Sequence, residues 1–188
     1  TEMREAVDYL IGRRREARLD AITRALVAEM LVSGGICDDT GGALERIDLA
    51  LSSGRAAEVF GRMVAALGGP GDFLDRPDHY ISAAPVVRPC LPGHRGRVTA
   101  MDTRAIGLAL IELGGGRRRP EDRIDHRVGF TGFCDLGDAL EPDTPICTIH
   151  AADSETCARV EAAIRAAVTI GDEGAVYPSP VLARIALS

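Results

Sequence analysis

The sequence changes its hydrophobic pattern near residue 74, and this change limits the folds that the chain can adopt. Before it, apolar residues recur every three or four positions in four segments that each end at glycine, which is typical of amphipathic helices. After it, proline, glycine and short runs of β-branched residues predict strands. The sequence therefore predicts an α+β fold, with helices in residues 1–73 and a second region of short strands and two helices in residues 74–188.

Each of the four helices predicted in residues 1–73 carries one apolar face. The faces consist of Met3, Ala6, Val7, Leu10 and Ile11; Leu19, Ile22, Leu26 and Met30; Leu44, Ile47 and Leu51; and Val59, Phe60, Met63, Val64 and Leu67. Such faces must pack on one another or on protein outside this region.

The second region is predicted to contain four strands and two helices. The strands are "APVVRPCL", "GRVTAM", "RIDHRVGF" and "PICTIHA". The first helix spans residues 102–113, with Asp102 or Thr103 as its cap and Gly114 as its end, and its nearly continuous apolar character predicts burial on all sides. The second helix follows Asp153 or Ser154, with apolar positions Cys157, Val160, Ile164, Ala167 and Val168. "SPVLARIAL" predicts a last extended segment.

The charge and the hydropathy of the chain limit its partners. A formal net charge of −6 argues against a broad nucleic-acid surface, although the clusters Arg13–Arg15 and Arg117–Arg119 could form local anion sites. No apolar run approaches the roughly 18 to 20 residues that a membrane helix requires. We therefore expect a cytoplasmic protein without a membrane partner. The sequence opens at Thr1 within a predicted helix, so we also expect it to be part of a longer protein.

All 22 basic residues are arginines. Without lysine, the chain cannot provide a Schiff-base lysine, a Walker-type phosphate lysine or a lysine that carries biotin or lipoate. The five cysteines are widely spaced, with no CxxC pair and no histidine at metal-finger spacing. We expect them to be reduced and mostly buried, rather than catalytic or metal-binding.

Two other patterns are candidates for chemistry. The stretch "GGGRRR" could bind a phosphate through amides and guanidinium groups, but it follows a helix, whereas phosphate loops precede one. We therefore interpret it as a helix end with exposed arginines.

His126 and His150 each lie near an acid, Asp125 and Asp153, and could act as general bases. No nucleophile is in register with them, so hydrogen-bonded structural histidines are expected, with His79 and His94 exposed.

Several separated blocks resemble the pyrimidine-nucleoside phosphorylase family and, within it, the C-terminal region of the bacterial thymidine phosphorylases. They are "EMREAVDYL", "AAEVFGRMVAALGGPGDF", "MDTRAIGLALIELGGGRRRPEDRIDHRVGFTGFCDLGD" and "PICTIHA". They occur in the family's order and at its spacing. The "MDTRAIG" block resembles the thymidine enzymes more than the broader-specificity members.

This resemblance implies that residues 1–73 are helices of an incomplete large α/β catalytic domain, and that residues 74–188 form a C-terminal α/β hammerhead-like domain. For the parent protein it implies a cytoplasmic homodimeric pentosyltransferase of pyrimidine salvage. The implied reaction is reversible phosphorolysis of thymidine to thymine and 2-deoxyribose 1-phosphate, with inorganic phosphate as co-substrate. Neither nucleic acid nor membrane is an implied partner.

The resemblance also implies where the site residues are. The family's phosphate and pyrimidine motifs, which include lysines, fall mainly in its N-terminal half and do not occur here. We therefore assign no catalytic, phosphate-binding or substrate-binding residue, and we expect the chain alone to be inactive. One position transfers: Glu5 corresponds to a glutamate with which some members bind a structural potassium ion.

Two alternatives of other classes stay open. The chain could be a non-enzymatic interaction or oligomerisation module derived from the phosphorylase C-terminal domain. Alternatively, "GGGRRR" could be an independent phosphate or nucleotide site.

Overall fold

The computed structural model describes residues 1–172, 179 and 181–185, and it confirms the predicted α+β fold. The chain divides into two compact units. The helical unit comprises residues 2–81 together with residues 179 and 181–185. The sheet unit comprises Thr1 and residues 82–172. The division falls between Ile81 and Ser82.

Within its described residues, the helical unit contains five helices. They are α1 (Glu2–Leu10), α2 (Ala17–Ser33), α3 (Thr40–Ser52), α4 (Arg55–Ala66) and α5 (Pro77–Tyr80). The first four confirm the helices predicted from the periodicity. The chain takes a positive φ at Gly12, Gly35, Gly54 and Gly68, just beyond the helix ends, which is why glycine closes each predicted segment.

The core of the helical unit lies between α2 and α3. Ala28, Ala43 and Ile47 are buried there, and the two alanines allow the helices to approach closely. The predicted apolar face of α2 is partly wrong, because Leu26 is 61% exposed and Met30 is 71% exposed. Most of the circumference of α2 is apolar, so the period alone does not select the side that packs on α3.

The apolar face predicted for α4 is also only partly covered. Val59, Met63 and Leu67 are exposed by 46%, 49% and 81%. Its buried residue is Ala57, which was not in the predicted face. The helices α2 and α4 therefore present large apolar side chains to solvent.

A polar network joins α1, α2 and α3. The Tyr9 hydroxyl donates a hydrogen bond of 2.7 Å to Asp20, and Arg24 pairs with Asp20 at 2.8 Å and with Asp48 at 2.7 Å. Burial and the bond to Asp20 raise the pKa of Tyr9 to about 12. The network fixes the three helices by directional bonds as well as by apolar contact.

In its described residues, the sheet unit consists of two antiparallel three-stranded sheets and two helices. Its elements are β1 (Val86–Cys90), β2 (Gly96–Met101), α6 (Thr103–Glu112), β3 (Gly129–Thr131), β4 (Ala139–Leu140), β5 (Cys147–Ala151), α7 (Ser154–Ala167) and β6 (Val168–Gly171). The first sheet has the order β1-β5-β3 and the second has the order β4-β2-β6. Both central strands, β5 and β2, were predicted from the sequence.

The helices α6 and α7 each begin directly after an aspartate that was predicted as the cap. The Asp102 carboxylate accepts the N–H of Ala105 at 2.9 Å, and the Asp153 carboxylate accepts the N–H of Thr156 at 2.8 Å. On α7 the predicted face is buried, and it joins β5 and α6 in one core. On α6 burial is confined to one side, since Leu108 is 56% exposed, so the prediction of a helix buried all round is wrong.

Two predicted segments differ from the structure, and a third is described only in part. The strand "RIDHRVGF" is wrong before Gly129, because residues 123–128 lie in no strand. Residues 126 and 127 form a turn, beside which the Asp125 carboxylate accepts the N–H of Arg127. Val168 does not continue α7 but begins β6, a strand that the periodicity missed because it follows the helix directly. In "SPVLARIAL", residues 179 and 181–185 lie in no helix or strand, and the other positions lie outside the described residues.

Candidate functional site

The glycine and arginine stretch after α6 was the first candidate for an anion site. The structure turns the chain here with a positive φ at Gly114 and exposes Arg117, Arg118 and Arg119. The backbone amides of Arg118 and Arg119 both donate to one oxygen of Asp122, each at 3.0 Å. A carboxylate of the chain itself therefore occupies the amides that would hold a phosphate, which confirms the interpretation as a helix end with exposed arginines.

His150 has a structural partner. It lies on β5, and its Nε2 is 2.8 Å from the Thr131 hydroxyl on the neighbouring strand β3. Burial lowers the pKa of the imidazole, so the neutral form is favoured. Asp153, the acid near it in sequence, caps α7 instead. The expectation of a hydrogen-bonded structural histidine is confirmed at this position.

His126 does not meet the same expectation. Its side chain is exposed, and the neighbouring Asp125 carboxylate bonds to Arg127. The prediction of a hydrogen-bonded structural histidine is therefore wrong here, because the segment forms a turn and not a strand. His79 and His94 are exposed, as predicted.

Asp125 and Arg127 form a tight bidentate pair. The guanidinium bonds the carboxylate at 2.9 and 2.7 Å, and the Arg127 amide adds a third bond of 3.0 Å. These bonds lower the pKa of Asp125 from 3.8 to about 2, with the side-chain bond as the main cause. The pair holds the turn before β3, and it leaves this carboxylate ionised and unsuited to act as a general acid near neutral pH.

We expect the pair to stabilise the fold only above the pH range in which Asp125 titrates. Because the folded pKa is lowered, the contribution is complete above the ordinary pKa of 3.8 and is lost as pH falls toward about 2. Its size should stay below about 1 kcal/mol, because both side chains are partly exposed. In Arg127→Gln, a carboxyl NMR titration should show the Asp125 pKa raised toward 3.8. An unchanged pKa would show that the guanidinium is not its cause.

Glu5, the position assigned to a potassium ligand by resemblance, lies exposed on α1. Across residues 1–172, 179 and 181–185, no group of three or more His, Cys, Asp or Glu side chains is arranged to hold a metal ion. Glu5 alone does not provide a complete ligand set from this chain's side chains. Its role in potassium binding stays a prediction.

A depression of about 410 Å³ lies in the helical unit at the start of α3. Its lining consists of Ile36, Cys37, Asp38, Asp39, Gly42, Glu45, Arg46 and Leu49. The lining mixes acidic and apolar side chains, and the Asp39 carboxylate already caps α3 by accepting the N–H of Gly42. This surface matches none of the chemistry predicted from the sequence.

Four of the five cysteines are buried, and all five are free thiols. This confirms the expectation of reduced, mostly buried residues. Cys90, Cys134, Cys147 and Cys157 belong to one core in the sheet unit, although more than 60 residues separate the first from the last in sequence. Sequence reasoning missed this proximity, because it depends on the register between strands that are distant along the chain.

A segment of the sheet unit matches a known protein family. Residues 97–171 match the family model of the pyrimidine nucleoside phosphorylase C-terminal domain. The match begins in β2 and ends at the last residue of β6, so it spans the second sheet, α6 and α7. It supports the wider pyrimidine-nucleoside phosphorylase family predicted from the sequence.

Within the matched segment 97–171, the polar groups mainly support structure. Asp102, Asp122 and Asp153 satisfy backbone amides, and Thr131 fixes His150. Sequence reasoning had no signal for Asp122 or Thr131, since each bond depends on a turn or a strand pairing.

In the part of the chain that the structure describes, no helix has both the length and the apolarity to cross a membrane.

Proposed function

We propose that this chain is the C-terminal part of a thymidine phosphorylase, a pentosyltransferase that converts thymidine and phosphate reversibly to thymine and 2-deoxyribose 1-phosphate. The observation that carries the proposal is the match of residues 97–171 to the pyrimidine nucleoside phosphorylase C-terminal domain. Within the matched segment, the "MDTRAIG" block at residues 101–107 favours thymidine over the broader pyrimidine nucleosides.

In this proposal the chain supports the catalytic site and does not form it. Phosphorolysis needs a phosphate held against the anomeric carbon and groups that neutralise charge on the departing base. The amides of Arg118 and Arg119 bond to Asp122, and the imidazole of His150 is bonded to Thr131. We infer that other residues of the parent protein hold both substrates.

The helical unit supports the proposal in a second way. Leu26 and Met30 on α2, and Leu67 after α4, are exposed by 61%, 71% and 81%. Burying a side chain of this kind is worth about 1.5 to 3 kcal/mol. We infer that α1–α4 are helices of a larger α/β domain, in which these side chains pack on further parts of the phosphorylase.

An activity assay tests the proposal at two levels. The purified 188-residue chain, mixed with thymidine and phosphate, is expected to release no thymine above the blank, as followed by ultraviolet absorbance. The full-length product of the same gene is expected to release thymine only when phosphate is present, and faster from thymidine than from uridine.

The outcomes separate the alternatives. Phosphate-dependent thymine release by the 188-residue chain would show that the catalytic groups lie within it. A full-length product without activity on any pyrimidine nucleoside would contradict the enzyme and favour an interaction module. Equal rates with thymidine and uridine would contradict thymidine specificity while leaving the family assignment in place.

A further inference from the structure

Two buried thiols lie directly opposite each other in the first sheet. Cys90 on the edge strand β1 pairs in register with Cys147 on the central strand β5, and both are fully buried. Directly opposed residues of antiparallel strands have Cα atoms about 4.5 to 5.5 Å apart. Disulfides span Cα separations of about 4.4 to 6.8 Å, so the pairing places these two residues within bridging range.

The surroundings of the two thiols are asymmetric. The Cys90 thiol donates a hydrogen bond of 3.8 Å to the backbone carbonyl of Glu161 on α7. A hydrogen bond from Cys147 lowers the pKa of Cys90, whereas the same contact and burial raise the pKa of Cys147. Cys90 is therefore the thiol that ionises first, and Cys147 holds the remaining proton of the pair.

The other cysteines of this core are less suited to reaction. Burial is the main cause that raises the pKa of Cys134, to about 11, and burial also raises the pKa of Cys157. Cys134 lies outside the strands, and Cys157 lies on α7, so neither is a register partner of Cys90. The geometry thus singles out one pair among the four buried cysteines.

We propose that Cys90 and Cys147 are a redox-sensitive pair, which a small-molecule disulfide converts to a cross-strand disulfide between β1 and β5. The Cys90 thiolate attacks one sulfur of the reagent and releases one equivalent of its thiol, which leaves a mixed disulfide on Cys90. Cys147 then attacks the Cys90 sulfur, its proton passes to the departing thiolate, and a second equivalent of thiol is released. The two protein thiols are oxidised, and the reagent disulfide is reduced to two thiols.

The bond would change how β1 is held. In the reduced state, the Cys90 thiol ties β1 to α7 through Glu161, and β1 remains an edge strand that can open locally. In the oxidised state, the thiol donor is lost and β1 is linked covalently to the centre of the sheet. Cys90 precedes the matched segment 97–171 and Cys147 lies within it. The proposed phosphorylase function assigns no role to either thiol, so the redox-sensitive pair goes beyond that function.

The test uses the full chain carrying Cys37→Ser, because Cys37 is the half-exposed cysteine outside this core. The folded protein is incubated with oxidised glutathione, then unfolded, alkylated and digested without reduction for mass spectrometry. We expect the intact chain to lose two hydrogen atoms, the peptides that contain Cys90 and Cys147 to be linked, and Cys134 and Cys157 to be alkylated. The thermal unfolding midpoint should rise on oxidation and return after reduction.

Single variants in the same background provide matched controls. Cys147→Ala should leave a glutathione adduct on Cys90, whereas Cys134→Ala and Cys157→Ala should keep the linkage. Linkage of Cys90 to Cys134 or Cys157 would overturn the proposal. So would recovery of Cys90 and Cys147 as alkylated thiols from the Cys37→Ser protein, a result that does not depend on whether the core variants fold.

Discussion

Replacement of Ile149 by alanine is expected to lower the free energy of unfolding of the sheet unit by about 2 to 5 kcal/mol. Ile149 is fully buried on β5, opposite Arg88 of β1 and Phe130 of β3, and it belongs to the core that α7 covers. The substitution removes three carbon atoms from a site enclosed by both neighbouring strands. The cavity that remains cannot close without moving the sheet.

The buried cysteines offer a direct measurement of this loss. Four thiols lie in the same core as Ile149, so their reaction with a thiol reagent reports the opening of the sheet unit. A loss of 2 kcal/mol or more should speed their labelling about 30-fold or more, because about 1.4 kcal/mol corresponds to a factor of ten. Urea unfolding followed by circular dichroism should show the same loss.

Two control variants separate the cavity from other effects. Ile149→Val keeps the branched shape and should cost about 0.5 to 1.5 kcal/mol. Thr148→Ala lies on the other face of β5 and should change stability by about 0.5 kcal/mol or less. Labelling rates that are equal in Ile149→Ala and Thr148→Ala would contradict the position assigned to Ile149 at the centre of the core.

The elements that the sequence predicted well are those with complete local signals. The helix α7 has an aspartate cap and buried positions at three- and four-residue spacing, and β5 alternates buried and half-buried residues over five positions. In both cases one pattern identifies the element and its buried face together. Local chemistry was therefore enough to predict them.

The errors occur where the local signal fits more than one structure. Leu26 and Met30 share a helical face, but the packing with α3 selects the side that carries Ala28. The segment before Gly129 was predicted to be part of a strand, but the bonds between Asp125 and Arg127 stabilise a turn. Tertiary contacts decide these cases, and they are not encoded in the periodicity.

For the candidate sites, too, the sequence predicted local features and missed those that depend on tertiary structure. The sequence correctly predicted that "GGGRRR" ends a helix, but it gave no indication that Asp122 accepts the amides beside it. It predicted buried thiols, but not that Cys90 lies opposite Cys147, because strand register depends on the whole sheet. The resemblance indicated the family through blocks to which we assign no catalytic, phosphate-binding or substrate-binding residue.

Replacement of Gly96 by alanine is expected to destabilise the sheet unit by about 1 to 3 kcal/mol. Gly96 is the first residue of β2, the central strand of the second sheet. A Cβ added there would lie 2.6 Å from the Ile170 methyl carbon Cγ2 and 2.9 Å from the carbonyl oxygen of Gly171, both on β6. The side chain could rotate away, but the backbone carbonyl can move only if β2 and β6 separate.

Gly107 is the matched control, because the same substitution there should have the opposite sign. It lies exposed within α6, and a Cβ added to it would meet no heavy atom within 4 Å. Gly107→Ala should stabilise the sheet unit by about 0.5 to 1 kcal/mol, since alanine loses less conformational freedom in a helix than glycine. Both variants are compared with the unmodified chain by urea unfolding. A neutral Gly96→Ala would contradict the close approach of β2 to β6, whereas a destabilising Gly107→Ala would contradict the open surface assigned to α6.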